Sequence, residues 1–427
     1  EIPYDNPARQ EIYVYSGETN NITIKVKDNS GKISKSYLVF AANDRRGLGA
    51  EDNSYLGGGS SNGLYLTATK IHSDTPTSEN QPATITVSGN LNNQPFTGEK
   101  SITRYVFAED PSGNTNYDHV GRTDDTGALG RVKFVWKSQT SKYDATANSE
   151  KQTVSYGDTP DAGTSINKTG LPTGTQYAWA TTPSTTTGPG EKAGVVTVTY
   201  PDGSKDTVNV TVNVRKLSDE YNVTGTEIVV NQDASVSNDD LKEKVTAVAV
   251  KGNANGADKI STVVPKSTIS TANYGDQIIS ATVTFKDGTM KDVTIPLKVK
   301  DVTKPTIQSP ADNTNWEMTA LDKTLPNMEV RAEDNANGSG IKSVSVTGLP
   351  DFLEYDKTTN SIKFKAGKQE VEKLPTGTQS KEFSLTIRAE DNAGNVSERT
   401  VKITVSSMSN TYAPQPKVQT VDNGAVP

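Results

Sequence analysis

The sequence predicts an all-β chain of tandem β-sandwich modules arranged as an elongated rod. Three observations carry this. First, runs of five to eight residues alternate β-branched with polar side chains, as in Ile22-Thr-Ile-Lys-Val-Lys27, Ala83-Thr-Ile-Thr-Val87, Val195-Val-Thr-Val-Thr199 and Val401-Lys-Ile-Thr-Val405. Period-two alternation between Asn, Asp, Gly and Pro turns is the pattern of half-buried antiparallel strands. Second, helical pattern is almost confined to Ser237-Asn-Asp-Asp-Leu-Lys-Glu-Lys-Val245, where Ser or Asn can cap an acidic first turn and lysines follow. Third, only 32% of the 427 residues are hydrophobic and the mean hydropathy is −0.61. Several small cores under polar surfaces suit that composition better than one large core.

Internal repeats set the module order. Val196-Thr-Val-Thr-Tyr-Pro-Asp-Gly-Ser-Lys-Asp-Thr-Val-Asn-Val210 matches Ala281-Thr-Val-Thr-Phe-Lys-Asp-Gly-Thr-Met-Lys-Asp-Val-Thr-Ile295. Each reads as a hairpin whose Asp-Gly pair (Asp202-Gly203, Asp287-Gly288) supplies the positive-φ positions of a tight turn. A second repeat pairs Phe107-Ala-Glu-Asp-Pro-Ser-Gly-Asn114 with Arg388-Ala-Glu-Asp-Asn-Ala-Gly-Asn395. The openings of those two modules also agree, Val26-Lys-Asp-Asn-Ser-Gly31 with Ala332-Glu-Asp-Asn-Ala-Asn-Gly338. The resulting A-B-B-A order divides the chain at 1–148, 149–214, 215–300 and 301–406, with 407–427 as a linker. Short connections such as Arg215-Lys-Leu-Ser-Asp219 favour limited bending.

Composition excludes several functions. The net charge of −7 argues against nucleic-acid binding, which depends on neutralising phosphates. No run approaches 18 consecutive apolar residues, so a membrane-spanning helix is ruled out. Cysteine is absent, which removes disulfide frameworks, thiol catalysis and cysteine zinc sites. His72 and His119 are the only histidines, too few for most histidine chemistry. No nucleophile–base pair stands out, and Gly57-Gly-Gly-Ser-Ser-Asn-Gly63 lacks the strand-to-helix setting of a nucleophile elbow. The chain is therefore expected not to be an enzyme and to need no cofactor. Its Glu-Ile-Pro opening, without an initiator Met, suggests an excerpt of a longer protein.

Most acidic residues fall in Asp-Gly or Asp-x-x-Gly-Asn turns, where Asp caps its own turn. The alternative is calcium, with oxygens from Glu109, Asp110 and Asn114 in the first A module or from Glu333, Asp334, Asn335 and Asn337 in the second. Neither run has EF-hand spacing. The long Gly47–Gly63 stretch reads as a functional or disordered loop. Aligning the A modules sets Ile102-Thr-Arg-Tyr-Val-Phe107 against Phe383-Ser-Leu-Thr-Ile-Arg388. Arg104 then replaces Leu385 on the expected core face, where an unpaired charge is costly. Two readings follow. Either Arg104 marks a functional break in the pattern, or it lies at the sheet rim with its head in water.

The run Ile102-Thr103-Arg104-Tyr105, followed by its Ala-Glu-Asp-x-x-Gly-Asn turn, resembles the apolar-Thr-Arg-x motif of Siglec-like modules in serine-rich repeat adhesins of Gram-positive bacteria. The resemblance covers about residues 1–145, including Tyr15-Ser-Gly-Glu18, Ile24-Lys-Val-Lys-Asp-Asn-Ser-Gly31 and Arg131-Val-Lys-Phe-Val-Trp136 as last strand. It implies a V-set immunoglobulin-like fold with the motif on the F strand. It also implies binding of sialylated host glycans through Thr103 and Arg104, with Tyr105 covering an apolar sugar face. Thr115–Gly130 looks long for the connection that follows, which puts the glycan preference in question. The B modules resemble Rib-type repeats of Gram-positive surface proteins, 149–214 throughout and 215–300 mainly in the hairpin. Residues 301–406 are similar to bacterial Ig-like or cadherin-like domains. The implied protein is a virulence-associated adhesin on the bacterial cell wall, extracellular, monomeric and not inserted in a membrane. The alternatives are an adhesin that grips a host protein by a strand edge or the 43–63 loop, and a plain stalk.

Overall fold

The computed structural model describes residues 10–28, 30–39, 54–55, 66–78, 81–91, 94–115 and 131–412. The expected loop at 43–63, the 116–130 connection and the tail beyond 412 fall outside these residues, apart from the backbone of 54–55. Two compact units divide the chain, Glu1–Lys216 and Leu217–Pro427. Each is built from tandem β modules, as the alternating pattern predicts.

In the first unit, strands β1 (Gln10–Tyr15), β2 (Thr19–Val26), β3 (Lys32–Ile33), β4 (Lys35–Val39) and β5 (Ser54–Tyr55) are followed by β6 (Thr67–Ala68), β7 (Thr75–Pro76), β8 (Ala83–Asn90), β9 (Lys100–Glu109) and β10 (Arg131–Lys137). They form two four-stranded sheets, β1-β10-β9-β4 and β2-β8-β6-β5, with a small β3-β7 pair. Burial alternates along β2 and β8. The inward rows meet in one core of Val14, Ile24, Leu38, Ile85, Val87, Val106, Val132, Phe134 and Trp136. The first strand runs parallel to the last, with Gln10 opposite Val132 and Tyr15 opposite Lys137. The same device recurs down the chain. Thr153–Val154 lies parallel to Lys205–Val214, Ile228–Asn231 to Met290–Lys300, and Asn315–Thr319 to Val396–Ser406.

The two repeated hairpins share one geometry. Gly203 and Gly288 hold φ of 82° and 83°, but their aspartates do not share the positive φ expected of the Asp-Gly pair. Each glycine N–H returns to the residue three before it, Tyr200 or Phe285, in a turn closed by a left-handed glycine. The aspartate side chain is thus left to accept hydrogen bonds. Asp202 Oδ1 takes Ser204 N at 2.9 Å and Oγ at 2.6 Å, and its Oδ2 takes Gln139 N at 2.7 Å. Asp287 repeats this with Thr289 N at 2.9 Å, Thr289 Oγ1 at 2.6 Å and Leu217 N at 2.7 Å. In the first unit Gln139 Oε1 also accepts Asp202 N at 3.0 Å, and Phe96 N donates to Asp202 O at 2.9 Å. This knot joins the first sandwich to the hairpin through buried polar groups.

The second unit holds the single multi-turn helical segment the sequence marks. Asn238–Glu243 is α-helical, and Ser237 and Asp240 form a reciprocal capping box. Residues 408–411 make a further helical turn inside the stretch expected to be linker. The last module closes over Ile307, Trp316, Met328, Val330, Phe352, Leu385, Ile387, Val401 and Ile403.

Candidate ligand-binding site

β9 carries the Thr103–Arg104–Tyr105 run in the middle of its sheet, between β10 and β4. The register sets Thr103 opposite Lys133, Arg104 opposite Val132 and Tyr105 opposite Arg131. On the other side β4 ends with Val39 opposite Tyr105. Among the described pairs, Thr103 and Arg104 therefore have a strand neighbour in β10 alone.

Strand alternation splits the three residues. Arg104 lies on the core-facing row with Ile102 and Val106 and is 9% exposed. Thr103 and Tyr105 are half-buried on the opposite face, where Lys133 pairs with Glu11 at 2.7 Å and Tyr37 stacks on Phe107. The Arg104 head turns back along the strand, and Nη1 donates to the Thr103 carbonyl at 2.6 Å. Of the two readings of Arg104, the rim position with its head in water is the one the structure contradicts. The strand is flanked on both sides at this register, so the side chain must run inward. Burial pushes the guanidinium pKa down from its usual value. A buried guanidinium interacts more strongly with an incoming carboxylate than one in water, because the local dielectric is lower.

The counterpart in the last module confirms the register. Leu385 stands opposite Val401 as Arg104 stands opposite Val132, and Leu385 is fully buried. One slot in one sheet thus holds arginine in the first module and leucine in the last.

The acidic turns resolve unequally. Glu109 forms an ion pair with Lys35 at 2.6 Å. Asp110 accepts Asn114 N at 2.9 Å and Asn114 Nδ2 at 2.8 Å. The first run is a self-capped turn, as turn chemistry predicts. In the second run Glu333 is exposed and paired with Arg331 at 2.9 Å, and Asn337 is exposed at φ 58°. Neither contributes to a cluster of ligands. Asp334 instead joins Asp301 and Asp391, from other loops, with one oxygen of each within 4.8 Å of the others. A contiguous run of sequence does not reveal that grouping.

These features define a class: tandem β-sandwich modules, the first of which presents a buried arginine on a central strand. The comparisons with known proteins narrow it. The Rib domain model matches residues 139–216, so the Rib-type resemblance holds for this segment. The C protein alpha-antigen of Streptococcus agalactiae is 32% identical over 142 residues, 32% of this chain and 13% of that protein. A streptococcal hemagglutinin from Streptococcus gordonii is 27% identical over 210 residues, 48% of this chain and 9% of that protein. The chain thus spans a small part of the curated relatives it matches. A solved sialic acid binding region of a Streptococcus sanguinis SK1 adhesin, bound to 3′sLn, aligns over 96% of this chain and 98% of its own, at 15% identity and a TM-score of 0.34.

Proposed function

We propose that this chain is part of a bacterial adhesin displayed on the cell wall, whose first module, residues 1–148, binds sialylated glycans of host glycoproteins. The modules at 149–214, 215–300 and 301–406 act as spacers, and the protein works as a monomer. The observation that carries the reading is arginine at 104 in the core-facing slot that holds Leu385 in the last module. A cation there costs desolvation that leucine avoids, so its presence is accounted for by chemistry rather than packing. A sialic acid carboxylate suits the planar guanidinium fork. Thr103, on the opposite face, can bond a sugar hydroxyl, and Tyr105 beside it can cover an apolar sugar face. The kinship with a hemagglutinin supports a surface-binding role. With few charge-assisted bonds to offset ordering of the ligand, the affinity is about 10 µM to 1 mM, and display in many copies raises avidity. The test is a glycan array with the full chain beside its Arg104→Leu variant, together with binding to sialidase-treated cells. Binding of sialylated glycans by the wild type alone supports the reading. Binding that survives sialidase, or that Arg104→Leu retains, overturns it.

A further inference from the structure

Three loops of the second unit converge on one polar site. Asp301 follows strand Met290–Lys300, Asp334 follows Arg331–Glu333, and Asp391 ends Ser380–Asp391. Asp301 is 4% exposed and Asp391 fully buried. Part of this carboxylate surface is already used. Asp301 accepts Thr303 N at 3.0 Å and Ser339 N at 2.8 Å. Asp391 accepts Asn395 N and Nδ2, both at 2.8 Å, and Asp334 Oδ2 accepts Gly340 N at 2.6 Å.

Two oxygens remain. Asp334 Oδ1 and Asn335 Oδ1 are each shielded from solvent and accept no hydrogen bond. The Asn335 amide cannot simply be reversed, because its nitrogen donates to Gln232 Oε1 at 2.7 Å. Gly338 shows where the amide oxygen points. A Cβ there would stand 2.6 Å from Asn335 Oδ1 and 2.9 Å from Asp301 Oδ2, so these two acceptors face one small space that glycine keeps open. Among the described residues no lysine or arginine forms an ion pair with the three aspartates; the nearby cations pair elsewhere, Lys342 with Glu390 and Arg331 with Glu333. Three buried or half-buried carboxylates and an amide oxygen, all acceptors, repel one another unless a cation lies between them.

We propose that Asp301, Asp334, Asp391 and Asn335 bind one calcium ion. The donors are all oxygen, which excludes the thiolate and imidazole sites preferred by zinc. Calcium takes six to eight oxygens in adaptable geometry and completes its shell with water, whereas magnesium demands a tighter octahedron. The ion ties the linker residue Asp301 to two loops of the last module. Gln232 of the preceding module reaches the same region, donating to Ala336 O at 3.0 Å, and Tyr274 N donates to Asn337 O at 3.0 Å. Bound calcium therefore stiffens the joint between these two modules, the role that the Gln139–Asp202 knot fills in the first unit without a metal.

The experiment uses the full chain stripped with EDTA, titrated calorimetrically with calcium chloride and melted with and without the metal. The expected result is saturable uptake of one ion. At about a hundred times Kd, the transition of the last module rises by roughly 10 °C. Asp334→Asn keeps an acceptor for Gly340 N but removes one charge. It should weaken binding at least ~10-fold while melting in EDTA no lower than the wild type, since repulsion is relieved. Gly338→Ala should also weaken binding by filling the space between the two oxygens. No heat with identical melting in calcium and EDTA, unchanged binding by Asp334→Asn, or an equal shift with magnesium would each overturn the proposal.

Discussion

Arg104→Leu separates a binding arginine from a structural one more sharply than the usual alanine. The Arg104 stem is buried among Ile102, Val106 and the inner face of β10. Alanine would therefore delete packing together with charge, and a loss of binding could reflect a collapsed strand. Leucine is the residue the fold itself places in this slot, at Leu385 opposite Val401. The substitution loses the Nη1 bond to the Thr103 carbonyl, about 1.5–3 kcal/mol for a charged donor. It gains relief of guanidinium desolvation, and replacing a buried charge by a well-packed apolar side chain is often neutral or stabilising by roughly 1–4 kcal/mol. The expected net is between zero and about 2 kcal/mol of added stability. In a unit of this size that raises the melting temperature by up to about 8 °C. Calorimetry of the full chain reads the stability, and the glycan array reads the binding. A variant that is stable and blind to sialylated glycans is the expected outcome. A drop of more than about 6 °C would refute the reasoning, because it would show that the sandwich depends on the arginine for its own folding.

Asp202→Ala removes the acceptor of Gln139 N and of both Ser204 donors, leaving a buried N–H unsatisfied. A loss of about 2–4 kcal/mol is expected in urea unfolding, and Asp287→Ala should match it within about 1 kcal/mol, since Leu217 and Thr289 repeat the bonds. A twofold disparity between them would show that the two knots are not energetically equivalent. Gly17→Ala tests the same knot from the other side. With φ at 71° and a Cβ 2.7 Å from Gln139 Oε1, it should cost about 1–3 kcal/mol; an unchanged denaturation midpoint would remove Gln139 from the joint. In acid, Asp110 is held below the ordinary carboxylate range chiefly by the Asn114 side-chain amide, and Asp161 by the Thr164 hydroxyl. A depressed folded pKa gives stability that is present above the unfolded value near 4 and lost as pH falls through the folded one. The first unit should hold its stability down to about pH 4 and lose it below, so a loss centred between pH 5 and 6 would contradict this assignment.

Much of the architecture is legible because it is local. Alternation in Ala83–Val87 or Val401–Val405 needs only neighbours along the strand, and Ser237 meets Asp240 within one turn. The register of Arg104 is readable by aligning its strand on Phe383–Arg388. Which way the head runs is not, because that depends on β4 and β10 flanking the strand, and β10 comes after the acidic turn and the 116–130 connection. The carboxylate cluster is hidden for the same reason. Reading the run from Glu333 to Asn337 finds Asp334 and Asn335, but the other ligands stand on loops brought together only by the folded sheet. Glu333, adjacent in sequence, faces away.

The aspartate at each late turn shows how one local rule yields different functions. A carboxylate has two oxygens, and capping its own turn takes one of them. At Asp110 the second oxygen stays within the turn, on Asn114 Nδ2. At Asp202 and Asp287 it reaches a backbone N–H far back along the chain and fastens a joint. At Asp391 the second oxygen again takes the asparagine amide, Asn395 Nδ2. Here, however, the carboxylate lies beside two others, so its remaining acceptor capacity faces charge of the same sign. The sequence is nearly the same in Phe107–Asn114 and Arg388–Asn395. What differs is whether the chain delivers Asp301 and Asp334 to the same place. The first turn is therefore complete as it stands, while the last is stable only with a cation among its oxygens.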